Sequence, residues 1–185
     1  MKRKFSTFAV LAAALAAAVA LTIAPAATAA NTPTASVSGA VTGTCSFVDA
    51  ITGQTVNGTI QNGLFTLTGF SSQGGNLYAT GTLTGVCSAV NSLGQTVTQA
   101  INQTTTTQVS GGTGSCSIVH LTLGPIHLDV LGLVVDTNQI VIDISAQSGP
   151  GNLLGNLLCG IANALNGGGS ASTLANLLNR LLAIL

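Results

Sequence analysis

The sequence predicts an α+β fold that is mainly β, an antiparallel sandwich or barrel of about eight strands packed against two C-terminal amphipathic helices. Three observations lead to this prediction. Residues 37–147 are rich in Thr and Val, alternate apolar with polar residues, and are interrupted by Gly, Asn and Ser clusters. The same region contains an internal repeat. After Pro150 the chain instead repeats leucine at helical spacing.

The first 30 residues have the three-part pattern of a secretory signal peptide. A basic start at residues 2–4 precedes an apolar run, which ends in the small residues Ala27-Thr28-Ala29. Removal of residues 1–30 would leave residues 31–36 as a flexible lead-in and residues 37–185 as one secreted domain. A retained membrane anchor is the alternative, because the apolar run is near the length that spans a bilayer.

Removal of the signal peptide would leave almost no cations in the chain. Arg180 would remain against Asp49, Asp129, Asp136 and Asp143, so the side chains sum to −3, one positive charge less four negative. Such a chain cannot neutralise a row of phosphates, which excludes nucleic acid as a partner. It also lacks the basic cluster that draws proteins to anionic lipid. We expect no transmembrane segment after signal removal, since each later apolar run is too short to span a bilayer.

An internal repeat organises the β-rich region. VSGAVTGTCSFV, residues 37–48, aligns with ATGTLTGVCSAV, residues 79–90. The copies cover about residues 37–70 and 79–123, and each predicts three antiparallel strands, with the strongest hairpin signal at Asn62-Gly63. Two copies with an odd number of strands would run in opposite directions. We therefore expect a pseudo-two-fold axis between the copies.

Four cysteines in an exported chain predict two disulfides. Cys45 and Cys87 are equivalent positions of the repeat, and equivalent residues meet where they lie near a two-fold axis. This pairing leaves Cys116 to pair with Cys159, which would staple a strand to the first helix. A structural zinc site is the rival use of the four thiols, although CxxC spacing does not occur in the sequence.

Two C-terminal helices are predicted at about residues 151–166 and 172–184, each with one apolar stripe. Exposed stripes of this size aggregate, so we expect the sheet of the same chain to cover them. A cavity for an apolar ligand, or a lipid or partner surface, are the alternatives. Asn176 and Asn179 are assigned to the outer side of the second helix, where an interfacial helix carries Lys or Arg instead. The predicted core stripe comprises Leu153, Leu154, Leu157, Leu158, Ile161, Leu165, Leu174, Leu177, Leu178, Leu181, Leu182 and Leu185.

The C-terminal part of the chain resembles a widespread group of bacterial secreted proteins of unknown function. The resemblance lies in LTLGPIHLDVLGLVV, in GPGNLLGNLLC and in the closing leucine-rich helix. It covers about residues 115–185 well and the repeat region loosely. His127 stands in LGPIHLD where the pattern leads us to expect an acidic or polar residue. The resemblance implies a family and no activity.

His120, His127 and Asp129 form the strongest candidate constellation for a metal or for catalysis. His127 and Asp129 are two residues apart, so they lie on one side of a strand. His120 would approach them if Gly124-Pro125 forms the turn between adjacent strands. Two His and one carboxylate suit a metal, and a His–Asp pair with a serine suits a triad. Surface polar positions on a strand are the simpler interpretation, and we expect no catalytic residue, metal or cofactor.

Two weaker patterns allow more than one interpretation. Asp129, Asp136 and Asp143 recur every seven residues, which fits solvated or turn-capping positions or a calcium site made of loop oxygens. INQTTTTQ, residues 101–108, predicts an outward ladder of threonines. The ordinary β-propensity of Thr explains this ladder, and an ordered surface such as ice or polysaccharide could also bind it.

These observations together predict a secreted, non-enzymatic protein of the extracellular space or cell envelope. Its expected role is structural, adhesive or binding. The alternative function is a carrier that holds an apolar ligand between the sheet and the C-terminal helices. The sequence leaves the partner unknown, with an envelope or matrix component and an apolar ligand as the candidates.

Overall fold

The computed structural model describes residues 37–147 and 149–185 of the 185-residue chain. The predicted signal peptide, residues 1–30, and the predicted lead-in, residues 31–36, lie outside the described residues. The described part contains nine strands followed by two helices. They are β1 (Ser38–Val41), β2 (Gly43–Val48), β3 (Thr55–Gln73), β4 (Asn76–Val90), β5 (Thr96–Gly114), β6 (Ile118–Leu123), β7 (His127–Val130), β8 (Leu133–Thr137), β9 (Ile140–Ser145), α1 (Leu153–Asn166) and α2 (Ala171–Leu182).

The strands form one antiparallel sheet that curls into a half-barrel. Its order is β7-β8-β2-β3-β4-β5-β6-β9, and β1 pairs with β3 beyond the end of β2. The curl brings β9 beside β1. One face of the sheet is apolar and buried, and side chains such as Phe65, Leu83 and Ile142 there are 0–1% exposed. This architecture confirms the predicted fold class, mainly β with two C-terminal helices.

β3 is one long strand where the sequence predicts two strands and a hairpin, so the turn predicted at Asn62-Gly63 is wrong. Asn62 has a φ of 52°, but β3 continues to pair with β4 after one extra residue. This is a β-bulge. Asn accepts a positive φ at little cost, and both a type I′ turn and a bulge use that conformation. The chain reverses instead at Gly74-Gly75, between β3 and β4.

β1 and β2 are separated by Thr42 alone and both run antiparallel to β3, so together they form one interrupted strand, and each repeat copy is a hairpin of two strands. β2 and β4 are the equivalent first strands, and β3 lies antiparallel between them. β2 and β4 consequently run in the same direction. The predicted pseudo-two-fold axis is wrong, because a copy with an even number of strands begins every repeat in the same direction. The copies are related by a step of two strands along the sheet.

The disulfide between Cys45 and Cys87 joins these two equivalent strands across β3, with a Cα–Cα distance of 5.9 Å. In a flat sheet, strands on either side of a third are about 9.6 Å apart. The sheet is therefore sharply bent at this point. Gly58 occupies the position on β3 beneath the disulfide, and a Cβ there would lie 2.1 Å from the carbonyl oxygen of Ser88. Only glycine allows β3 and β4 to approach this closely.

The two helices pack against the core of the sheet. α2 contacts β3 and β4, whereas α1 contacts β5 and β6 and is joined by Cys159 to Cys116 in the β5–β6 connection. Side chains of both helices belong to the same buried core as those of the sheet. No helix in the described part of the chain is both long and apolar enough to span a membrane. Of the predicted stripe, the fully buried members are Leu158, Ile161, Leu178 and Leu181, with Leu174 8% exposed and Leu154, Leu157, Leu165, Leu177, Leu182 and Leu185 partly buried against the core.

Leu153 and Asn179 depart from the expected helix faces. Leu153 is 78% exposed, because it is the first residue of α1 and no described element covers it. Asn179 faces the sheet: its side-chain oxygen accepts from the Phe70 N–H at 2.7 Å, and its amide nitrogen donates to the Phe70 carbonyl at 2.8 Å. β1 pairs with β3 only as far as Thr66. Beyond Thr66, the side chain of Asn179 forms the main-chain hydrogen bonds with β3 that a neighbouring strand would otherwise form. A helical-wheel pattern does not predict such a contact.

Candidate functional site

The structure does not bring His120, His127 and Asp129 together. His120 on β6 lies opposite Asp143 on β9, and β6 pairs with β9 rather than with β7. Gly124-Pro125 is therefore not a hairpin turn, and His127 pairs across the sheet with β8. Within residues 37–147 and 149–185, no group of three or more His, Cys, Asp or Glu is placed to hold a metal. The proposed constellation is wrong because the histidines lie on strands far apart in the sheet order.

Each histidine instead contacts one aspartate on the neighbouring strand. The Nδ1–Oδ1 distance is 2.5 Å for His120 with Asp143 and 2.5 Å for His127 with Asp136. The hydrogen bond and the charge of Asp136 raise the pKa of His127, partial burial opposes this shift, and Asp129 adds a smaller raising effect. The His127 and Asp136 side chains are 67% and 56% exposed. This pair is therefore accessible to a ligand.

The His127–Asp136 pair begins a polar row across the outer face of six strands. Residues in register on neighbouring antiparallel strands lie on the same face, so their side chains are direct neighbours. The row crosses the sheet from the edge strand β7 through β8, β2, β3 and β4 to β5. Its members in order are His127, Asp136, Thr44, Thr59, Ser88 and Thr98.

A groove of about 460 Å³ lies on this row, where it crosses β8, β2 and β3. Hydroxyl and amide groups donate and accept hydrogen bonds, whereas a carboxylate only accepts them. Among the residues that line the groove, only Asp136 is charged. The groove is open to solvent and is lined by Thr44, Cys45, Ser46, Asn57, Gly58, Thr59, Val134 and Asp136.

A close approach of two strands positions Asp136 at the groove. Gly43 on β2 lies opposite Thr137 on β8, and a Cβ on Gly43 would lie 2.1 Å from the Asp136 carbonyl oxygen. The missing side chain lets β8 lie tightly against β2, which sets Asp136 beside Thr44. Thr137 also ties this strand to the preceding loop, because its hydroxyl accepts from the Ile126 N–H at 2.8 Å.

Sequence analysis missed the hydroxyl and amide members of the groove. Thr44 and Ser46 alternate with buried residues on β2, and Asn57 and Thr59 do the same on β3. That alternation identifies the outer face of each strand, but only the register identifies which outer residues become neighbours. Comparison of the chain with known protein families, curated proteins and solved structures finds no match. The chemistry of the groove is therefore defined by its own side chains.

Proposed function

We propose that this protein is a secreted, non-enzymatic binding or adhesion module of the extracellular space or cell envelope. We further propose that it binds a hydroxyl-rich polymer, such as a glycan, in the groove on β8, β2 and β3. Two disulfides support an exported protein, because disulfides persist in oxidising compartments. The observation that carries the ligand class is the single carboxylate of Asp136 among uncharged hydrogen-bonding groups.

A glycan matches these groups chemically. Sugar hydroxyls donate to Asp136, and they exchange hydrogen bonds in both directions with Thr44, Thr59 and Asn57. The polar row crosses six strands, which suits a chain of several sugars better than one. His127 holds Asp136 from the side away from the groove, which fixes the orientation of the carboxylate.

Binding without cleavage is supported by the number of carboxylates. Glycoside hydrolysis generally uses two carboxyl groups that flank the scissile bond. Asp136 is the only carboxylate among the residues that line the groove. Asp129 lies on the edge strand β7, opposite the groove residue Val134, and does not itself line the groove.

The test compares two aspartates in the same chemical setting. The exported protein is incubated with insoluble polysaccharides, namely peptidoglycan sacculi, cellulose and chitin, and the bound fraction is measured at increasing protein concentration. Asp136→Asn should weaken binding about tenfold or more, because hydrogen bonds to a charged group contribute about 1.5–3 kcal/mol. Asp143→Asn is the matched control, since Asp143 also contacts a histidine at 2.5 Å but does not line the groove.

A second variant tests the uncharged part of the groove. Thr59→Val removes one hydroxyl at almost constant shape and should weaken binding about fivefold, the equivalent of one neutral hydrogen bond. The glycan proposal is refuted if none of the three polysaccharides retains the protein, or if the Asp136 and Asp143 variants bind equally. Fractionation of cells and medium tests the proposed location independently.

A further inference from the structure

Three turns at one end of the sheet expose large aliphatic side chains. The β2–β3 turn contacts the β4–β5 turn, where the Asn91 amide donates to Asp49 Oδ2 at 3.2 Å. The β7–β8 turn joins them, because Val48 and Leu131 line the same cleft of about 220 Å³. We name these aliphatic residues the apolar tip. They are Val48 (55% exposed), Ile51 (65%), Val90 (63%), Leu93 (64%) and Leu131 (103%).

The repeat presents the same apolar pair twice. Val48 and Val90 are equivalent positions, and so are Ile51 and Leu93. Both turns also place a glycine at positive φ, 67° at Gly53 and 76° at Gly94. In each copy the strand ends in valine and the turn then directs a larger aliphatic side chain into solvent. The exposure therefore comes from a feature of the repeat and recurs in both copies.

Leu131 is in a conformation that its side chain does not favour. Its φ is 52°, in the left-handed region that turns normally fill with Gly, Asn or Asp. A fully exposed leucine gains no packing in return. Folding alone therefore gives no reason for leucine at this position, and a strained exposed residue of this kind points to function.

Two of the turns pair several of their main-chain N–H groups internally. Asp49 is only 2% exposed and accepts from the N–H groups of Ile51 at 3.2 Å and Thr52 at 3.1 Å. Asn91 Oδ1 likewise accepts from the N–H groups of Leu93 at 3.1 Å and Gln95 at 3.0 Å. Main-chain donors that are already paired lose little when water is removed. Removing water from these two turns therefore costs less than it would for turns whose donors are all free.

The charges around the tip indicate which medium this is. Residues 50–54, 92–95 and 131–132 contain no charged side chain, and the carboxylate of Asp49, the first residue of the β2–β3 turn, is buried and accepts hydrogen bonds from Ile51, Thr52 and Asn91. An exposed carboxylate, that of Asp129, lies two residues before Leu131 in the chain. Without a basic residue, and with this carboxylate close by, the tip is suited to uncharged or zwitterionic lipid rather than to anionic lipid. Three separate protrusions also enter a fluid phase without needing three matching pockets.

We propose that the apolar tip inserts shallowly into a zwitterionic lipid surface, with Asp129 held at the level of the headgroups. Each turn contributes one or two aliphatic side chains, so insertion reaches the boundary of the acyl chains and no further. This inference goes beyond the proposed function, because the tip shares none of the groove residues.

The test measures partition onto vesicles by co-sedimentation. Wild type is compared with the triple variant Ile51→Ser/Leu93→Ser/Leu131→Asn on phosphatidylcholine vesicles. Each substitution should lower the partition coefficient about tenfold, so the triple variant should fall by about a thousandfold. The control is Leu153→Ser/Ile184→Ser, which removes two exposed aliphatic residues (78% and 55%) outside the tip and should bind as wild type does.

Two further measurements separate lipid insertion from electrostatic adsorption and from loss of folding. Adding phosphatidylglycerol should not strengthen binding, and raising salt from 0.1 to 1 M on phosphatidylcholine vesicles should change it by less than twofold. All proteins are purified after export and their N-termini are determined by mass spectrometry, so that they differ only at the named residues. Far-ultraviolet circular dichroism checks their folding. Leu131→Asn alone, which suits a positive φ, should still lower partition about tenfold if the triple variant does not fold.

The proposal is overturned if wild type does not bind phosphatidylcholine, or if the tip variant and the control bind equally. It is also overturned if wild type forms a dimer that the tip variant abolishes while neither binds vesicles, since the tip would then contact a second copy. The triple variant should retain polysaccharide binding. Loss of glycan binding in Asp136→Asn and loss of lipid binding in the tip variant are thus independent results.

Discussion

Replacing Asn179 with alanine should destabilise the protein by about 2 kcal/mol. The substitution removes two hydrogen bonds to Phe70, of 2.7 and 2.8 Å, that join α2 to β3. Each such bond contributes about 1 kcal/mol net, and leaving half-buried main-chain groups unpaired adds to the loss. The higher helix propensity of alanine returns about 0.5 kcal/mol. For a domain of about 150 residues, the net change corresponds to a fall in Tm of about 4–8 °C.

The assay is thermal unfolding followed by circular dichroism, with both disulfides intact. Asn176→Ala is the matched control, because it removes the same side chain three residues earlier from an exposed position on the same helix. It should leave Tm unchanged or slightly raised. Equal Tm values for the two variants would show that the Phe70 contact does not hold α2 on the sheet.

Three further substitutions test the bend, the histidine pair and the helix packing. Gly58→Ala puts a Cβ 2.1 Å from a carbonyl oxygen of β4 and should cost about 3 kcal/mol or more in urea unfolding, whereas Gly111→Ala enters open space and should change little. The imidazole of His127 should titrate above its ordinary pKa by NMR, and Asp136→Asn should lower the midpoint. Because the folded pKa is raised, this pair stabilises the protein below about pH 6.5 and the contribution is lost as pH rises through the folded pKa. Leu178→Ala, at a fully buried position, should lower the free energy of unfolding by about 2–5 kcal/mol.

Each of these expectations has a clear contrary result. Equal urea midpoints for the two glycine variants would remove the steric account of the bend. A His127 midpoint unaffected by Asp136→Asn would show that the pair does not form in solution. Leu153→Ala is the control for Leu178→Ala, because Leu153 is 78% exposed and should lose less than about 0.5 kcal/mol.

The fold class was predictable because its signals are local. Alternation of apolar and polar residues marks a half-buried strand within a few residues, and a leucine stripe marks a helix in the same way. The sharp reversal at Gly74-Gly75 follows from two glycines that accept positive φ. Asn62 gives the same local signal, and only its pairing partner on β4 distinguishes a bulge from a turn. One local misinterpretation changed the strand count of each copy and, with it, the predicted symmetry.

The groove was not predictable for a related reason. Its polar row depends on the register of six strands, and β2 pairs with β8 although these two strands come from distant parts of the sequence. His127 and Asp129 share a strand face, as their spacing predicts, but the strand pairs with β8 instead of β6. Leu131 carried no turn signal either, because leucine is rare at a positive φ. Sequence patterns define faces, whereas tertiary pairing decides which faces meet.

The two-strand step between the repeat copies also determines at which end of the sheet the repeated turns lie. A duplicated hairpin returns the chain to the same end of the sheet, so the β4–β5 turn lies beside the β2–β3 turn, two strands further along the sheet. A third hairpin would add another apex to that rim and leave the direction of every existing strand unchanged. Multiplying an odd number of strands would instead have divided the copies between opposite rims. With an even count, tandem duplication alone adds turns to the same rim.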